Sequence, residues 1–472
     1  MKRLIIISII IAAACSVGFG QKKKKDKYKT PQVQIPVALD RTSPASPLDA
    51  QSLADLKWFE VFKDEKLQAL IREALMNNYD LRQSVARVES ARASLGITRA
   101  DQFPTIEANG GGTFQGVYRK GDIPKPLEET KHPKFGEVLL NLLTFELDIW
   151  GRLRKATQAA RADLLASEEA RRAVLTTIIA DVATSYYNLR EFDYELAIAK
   201  RTLASRQESL RLVRLRYERG VSNQLELRQS EELVYNASEQ IPALERAIEI
   251  QENYISALTG RNPQPIERGQ LLTEQVMPPT IPEGLASDLL ERRPDIRAAE
   301  QDLLAANLRI DVAKKAWFPR ITITAFLGFQ SGELSTLLSP SRSIWSIVPE
   351  ISQPIFNGGR IKSNIKYTEA QRNYLLASYE QAVQNAFREV ASSLVSYRKV
   401  KEVRAQRELL VATLQDRSRL AYMRYNYGVA TLLEALDADR ELFNAELSLA
   451  QSHRDELLTV VGVYKALGGG WQ

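Results

Sequence analysis

The chain repeats itself at long range. Residues 80–106 read DLRQSVARVESARASLGITRADQFPTI, and residues 295–321 read DIRAAEQDLLAANLRIDVAKKAWFPRI. At an offset of 215, Asp80, Arg82, Ala91, Phe103, Pro104 and Ile106 return as Asp295, Arg297, Ala306, Phe318, Pro319 and Ile321. At an offset of 208, Arg216, Tyr217, Gly220, Val221, Leu225 and Glu226 return as Arg424, Tyr425, Gly428, Val429, Leu433 and Glu434. Self-similarity at a long fixed period means one structural unit used twice. The 472 residues are therefore expected to form two related halves of one body rather than separate domains.

The most restrictive part of each half is a stretch without helix breakers. Arg152 to Arg219 contains no glycine and no proline, and neither does Ile361 to Tyr427. Both are rich in Ala, Leu, Glu, Arg and Gln, which are strong helix formers. At 1.5 Å per residue such a helix is a rod of roughly 100 Å. Leu175, Val182, Leu189, Leu196, Leu203, Leu210 and Tyr217 recur every seven residues. Sustained heptads predict coiled-coil packing on a partner helix. The rods end at Gly220 and Gly428, where glycine suits a C-cap and a tight reversal. Return helices are predicted over about 222–259, with Pro242 inside, and about 430–461. Each is too short to cover a rod alone.

Ahead of each rod the periodicity changes. Residues 64–101 read as one helix, with Leu67, Leu70, Ile71, Leu75, Leu81, Val85 and Val88 at helical steps. Pro104 and Pro319 stop the first helix of each copy. In Thr144-Phe145-Glu146-Leu147-Asp148-Ile149 apolar and polar residues strictly alternate, which predicts a strand with one apolar face. Residues 105–118 and 321–329 also read as strands, and 344–356 as a weaker one holding Pro349 and Pro354. Polar loops are expected at about 119–137 and 331–343. The offset falls from 215 to 208 between Pro319 and Gly359, so the second strand hairpin is seven residues shorter.

The start of the chain reads as an address. Lys2 and Arg3, the apolar run Leu4 to Ile11 and the small residues after it form a secretory signal peptide. Ala12-Ala13-Ala14-Cys15 resembles a bacterial lipobox, which would lipidate Cys15 and remove residues 1–14. Cleavage after Gly20 would instead remove residues 1–20. Residues 21–57, with Pro31, Pro36, Pro44 and Pro47, read as an extended arm. The first repeat is set at 58–270 and the second at 271–472. No later stretch approaches the ~20 apolar residues of a membrane helix.

Composition excludes several chemistries. Cys15 is the only cysteine, and the two histidines, His132 and His453, lie in unrelated contexts. No metal site, disulfide or nucleophile pair is expected. There is no phosphate loop and no HExxH, and the glycine runs at 110–112 and 468–470 lack the flanks of a nucleotide motif. The chain is read as no enzyme, with no cofactor. Its formal charge of +6 includes six lysines between Lys22 and Lys29, so no nucleic-acid partner is expected.

If the strands enter a membrane, every backbone group there must be paired and the sheet must close. Four strands cannot close, since outer-membrane barrels begin at eight. The fold expected is thus an α+β membrane protein whose chains share a barrel. Two chains give eight strands and three give twelve, and the long rods favour the wider ring. Rods hanging from such a barrel would continue it as a hollow coiled-coil tube.

At this point the sequence resembles the TolC-like outer membrane efflux proteins, in particular their NodT-type branch. LASDLLERRPDIRAAE (285–300) resembles the start of the family's second repeat. FELDIWGRLR (145–154) and QPIFNGGRIKSN (353–364) resemble its strand-to-rod junctions. RLRYERGVSNQLEL (214–227) and YMRYNYGVATLLEALDADR (422–440) resemble its hairpin tips. The resemblance runs from about Trp58 to Leu467. It implies a homotrimer with a twelve-stranded barrel and a periplasmic helical tunnel. It also implies partners: a periplasmic adaptor, an inner-membrane transporter of the resistance-nodulation-division type, and outer-membrane lipid.

The same resemblance assigns roles. Gly220, Val221, Gly428 and Val429 match the tips where the adaptor docks. Glu434 and Asp437, three apart on one helix face, match an acidic ring at the periplasmic gate. Tyr425 matches a tyrosine that holds the tips closed, and Glu226 is the acidic counterpart in the first copy. The family's arginine two residues after the second tip glycine is absent. Ala430 stands there, and Arg424 or Arg219 are the candidate substitutes. Other functions fit parts of the pattern: the exit duct of a type I protein secretion system, or a secreted coiled-coil adhesin or scaffold.

Overall fold

The computed structural model describes residues 57–114, 134–275 and 288–469. The leader, Cys15, most of the N-terminal arm and most of the first polar loop lie outside the described residues. Along the chain run α1 (Trp58–Val61), α2 (Glu65–Asn77), α3 (Tyr79–Ala100), β1 (Ile106–Phe114) and β2 (Lys134–Glu146). Then come α4 (Arg152–Glu218), α5 (Gln224–Leu258), α6 (Asp288–Arg292), α7 (Pro294–Lys315), β3 (Arg320–Ser331) and β4 (Ser343–Ser352). The second long rod is α8 (Arg360–Asn426), and α9 (Leu432–Ala466) follows it. The two rods α4 and α8 are each 67 residues long, and the return helices α5 and α9 are each 35. Helix α5 continues past Pro242.

The strands form one antiparallel sheet in the order β1-β2-β3-β4. Opposed residues share a face, so the registers show which residues line it. One face carries the rows Ala108-Leu140-Leu327-Trp345 and Ile106-Leu142-Ala325-Ile347. The other carries Glu107-Asn141-Phe326-Ser346 and, beyond an irregularity between Leu142 and Phe145, Glu146-Thr322-Glu350. Ile106, Leu140, Leu327, Trp345 and Ile347 are all exposed. A continuous exposed apolar face of this kind marks a surface made for an apolar surrounding.

Several expected elements differ: β2 begins at Lys134, inside the loop expected to 137, and β4 ends at Ser352, leaving Pro354 outside the strand. The strand predicted through Ile149 ends at Glu146. Asp148, predicted as a strand residue, turns its carboxylate to the start of α4 and accepts from the Leu153 and Arg154 amides at 3.0 and 2.9 Å. Gly151 makes the turn with φ 74°. Capping the rod takes priority over extending the strand, because a helix leaves its first amides without partners. The helix predicted over 64–101 is broken at Asn78. There the Asn78 side chain accepts from the Asp80 and Leu81 amides at 2.8 and 3.1 Å and donates to Leu258 O at 2.9 Å.

In the helical part, α4 packs against α2, α3, α5, α7 and α9. Helix α8 packs against α7 and α9. The sequence of neighbours is therefore α3 or α5, then α4, then α7 or α9, then α8. The main core centres on Ile179, Val182, Tyr186 and Leu189 of α4 with Val460, Val461 and Val463 of α9. The heptad on α4 holds this core at Val182 and Leu189 and reaches solvent at Tyr217. Buried Asp64 ties α2 to α4 and to the connector after α5. It accepts from Tyr186 Oη at 2.9 Å, the Gln270 amide at 3.0 Å and Gln275 Nε2 at 2.9 Å. Burial opposes its ionisation, yet these hydrogen bonds win and hold the carboxyl below its usual range. Among the described residues no helix is long and apolar enough to cross a membrane.

Candidate functional site

The site residues named from sequence gather at the two hairpin tips. Rod α4 ends with Gly220 at φ 72° and rod α8 with Gly428 at φ 76°. The Val221 amide donates to Arg216 O at 2.8 Å, and the Gly220 amide to Tyr217 O at 2.9 Å. The second tip repeats this bonding: Val429 to Arg424 O and Gly428 to Tyr425 O, both at 3.0 Å. This pair of bonds is the Schellman ending, which needs a left-handed residue and so favours glycine. Asn223 then caps α5 through the Glu226 amide at 2.9 Å, and Thr431 caps α9 through the Glu434 amide at 3.4 Å. Val221, Leu225, Val429 and Leu433 project into solvent from the two turns.

The acidic residues are not bare. Asp437 meets Arg417 at 3.0 Å and Arg440 at 2.6 Å. Glu434 lies 3.6 Å from Arg424. Arg424 is one of the two arginines named as substitutes for the missing one after Gly428. Glu226 is engaged by Ser222 of its own hairpin. Tyr425 packs on the small cluster of Val213, Leu233, Leu432 and Leu436, and the Arg216 guanidinium stands 4.9 Å from its ring. Such a cation over a ring is attracted by the ring's negative face. The exposed pairs contribute only about 0–1 kcal/mol each.

One constellation was not singled out in the sequence. Arg206 of α4 is buried and reaches two other helices. Its Nε donates to Asp439 of α9 at 2.7 Å, and its Nη1 to Leu233 O of α5 at 3.0 Å. Its guanidinium lies 4.9 Å from the Phe443 ring of α9, and its Nη2 is buried without a hydrogen bond. Tyr422 of α8 completes the layer. Burial, and then the Asp439 carboxylate, push its hydroxyl up to about 12. The signal for this layer lay in the repeat. At the 208 offset Arg206 corresponds to Leu414 and Asp439 to Glu231, so charge replaces an apolar residue in one copy.

A one-sided sheet carrying two equal helical hairpins is the architecture of outer-membrane channels. The chain matches the open-state MtrE channel of Neisseria gonorrhoeae with a TM-score of 0.84 and 31% identity, covering 94% of this chain and 98% of that one. Residues 70–261 and 285–469 match the model of the outer membrane efflux protein family, and the chain belongs to that family. It is 38% identical over 416 residues to the solvent efflux pump outer membrane protein SrpC of Pseudomonas putida, with 87% of each chain covered. It is 33% identical over 445 residues to the cation efflux system protein CusC of Escherichia coli, covering 94% of this chain and 95% of that one. The protein is thus an outer-membrane efflux protein.

Proposed function

We propose that three copies of this chain form the passive exit duct of a tripartite efflux pump. The observation that carries this reading is that both layers of the chain have matching open edges. In the sheet, β1 and β4 are unpaired edges. In the helical part, α3 and α5 lie at one end of the neighbour sequence and α8 at the other. A head-to-tail ring joins β4 to β1 and α8 to α3 and α5 of the next copy in one operation. Three copies give twelve strands, enough to close a barrel and pair every backbone group in lipid. The rows with Leu140, Leu327 and Trp345 then face lipid, and those with Glu107, Asn141 and Glu146 face the lumen.

The rods continue the lumen below the barrel, and the tips close it. Val221, Leu225, Val429 and Leu433 beside Gly220 and Gly428 offer apolar knobs to a periplasmic adaptor. An inner-membrane transporter, of the resistance-nodulation-division type, supplies the energy. Glu434 and Asp437 ring the narrow end and filter ions, tempered by Arg424, Arg417 and Arg440, and Tyr425 and Glu226 steady that end. The cargo is a class of small molecules chosen by the pump, since a wide duct need not recognise what it carries.

The test is an outer-membrane fraction run on a gel before and after heating, followed by recordings in planar bilayers. Heat-dissociable trimers that conduct are the expected result. Reversing the charge of Glu434 and Asp437 together lowers cation preference. A monomer in the soluble fraction, or channels indifferent to that reversal, would overturn the assignment.

A further inference from the structure

We propose that the buried Arg206–Asp439 pair is the clasp that sets how easily the two hairpin tips part, an inference that rests on the duct reading above. The pair links the two hairpins of one chain, since Arg206 belongs to α4 and Asp439 to α9. It lies 14 residues above Gly220 along the rod, about 20 Å at the helical rise. The Arg206 side chain is only 3% exposed, whereas those of Arg424 and Glu434 in the tip pair are 58% and 52% exposed.

Burial decides which pair controls the tip. An exposed ion pair that separates is at once hydrated and loses little. A buried pair that separates leaves a charge in a low-dielectric layer, and that is strongly unfavourable. Arg206 makes this case severe. Only Asp439 offsets its charge in the hydrogen bonds it makes, since its other acceptor is the neutral carbonyl of Leu233. Its Nη2 is already without a hydrogen bond. Moving α9 away from α4 would strand the guanidinium between Leu233 O and the space left by Phe443. Parting this layer is therefore costly, and the clasped arrangement is favoured.

The repeat supports a control role rather than general packing. The corresponding positions are Leu414, buried against Val411 and Ala445, and Glu231, which pairs at 3.3 Å with Arg214 and at 2.7 Å with Arg228 of its own hairpin. An apolar residue serves the packing need at one position, so the charge at the other has a different purpose. Tyr422 from α8 closes the layer beside Ser209, placing all four helices of the two hairpins at this level.

Single-channel recording of the full-length protein in planar bilayers tests the clasp. Channels from the unaltered chain come first, and their absence would overturn the duct reading and the clasp with it. The near-isosteric Asp439→Asn is expected to raise the open-to-shut ratio at least about tenfold, as is Arg206→Met. The double variant Arg206→Met with Asp439→Leu removes both charges and is expected to return the ratio toward that of the unaltered channel. The comparison variant Glu434→Gln with Asp437→Asn is expected to change ion preference and to shift the ratio less than about threefold. The clasp is refuted if Asp439→Asn lowers the melting temperature of the trimer while its gating stays unchanged. It is equally refuted if the tip variant shifts gating more than Asp439→Asn does.

Discussion

The rods α4 and α8 have the same length and begin and end alike, yet they live in different surroundings. Helix α4 buries 23 of its 67 residues and α8 only nine. Both start after a left-handed glycine, Gly151 or Gly359, and both end in the same glycine turn. The contrast arises between those ends. Helix α4 packs against five others, while α8 packs against α7 and α9. The exposed residues of α8 include large apolar side chains. Tyr367, Tyr374, Val395, Leu409 and Met423 are all exposed and lie at multiples of seven residues from one another. Gln381, Arg388, Glu402 and Asp416 fill the positions between them in the same register, so apolar and charged residues share this side. One rod is the axis of its own chain, and the other lies at its edge, where the proposed assembly would cover it.

Three experiments sharpen or break this contrast. The largest effect is expected from matched truncations. Leu189→Ala in α4 removes a fully buried side chain and should destabilise the chain by about 2–5 kcal/mol, measured by denaturant unfolding. Leu409→Ala in α8 should change monomer unfolding by less than about 0.5 kcal/mol while weakening trimer assembly in analytical ultracentrifugation. Equal costs in the monomer would show that α8 is not an edge.

The second effect concerns Glu191, buried in α4 and 2.6 Å from Arg454 of α9. Its counterpart in α8 is the exposed Lys399. Burial pushes the Glu191 carboxyl up to about 7, although Arg454 pulls it down. The folded state thus holds a proton that the unfolded state releases at lower pH. Its contribution to stability is greatest below the ordinary glutamate range and is lost as pH rises toward 7. Glu191→Gln should flatten that decline in thermal unfolding followed from pH 5 to 7. A slope identical to that of the unaltered protein would mean that Arg454 keeps the group ionised throughout.

The smallest effect should fall where the rods are alike. Gly220→Ala and Gly428→Ala each place a side chain on a left-handed residue, with no atom within 4 Å of the added carbon. Each should therefore cost about 1–2 kcal/mol from backbone strain alone. The two values are expected to agree within about 0.5 kcal/mol in thermal melts. Disagreement would show that one tip is held by contacts the other lacks.

Much of this was legible along the chain. Rod lengths follow from the glycine-free and proline-free runs, and the tips from Gly220 and Gly428, because helix propagation and capping are local. Alternation was legible only over 144–149, and the apolar face with Leu140, Leu327 and Trp345 became visible in the strand registers. Local rules also misled. They carried a strand through Asp148, whose carboxylate is needed five and six residues later at the start of α4. They ran a helix through Asn78, whose amide reaches Leu258.

The tip residues were found by matching motifs, and their pairing was not. The sequence placed Asp437 and Glu434 on one face. Arg440 lies three residues further along the same helix, and Arg424 was already a candidate; the fold supplied Arg417, because α8 passes beside α9 only once the hairpin has closed. The sequence alone determined two copies, from matches about 210 residues apart, and equal rods and glycine turns, set by spacing within a few residues. Tertiary structure alone decided that α4 is interior and α8 is edge, and that Arg206 meets Asp439 across 233 positions of chain. Burial and long-range pairing depend on which helices become neighbours, and no local periodicity encodes that choice.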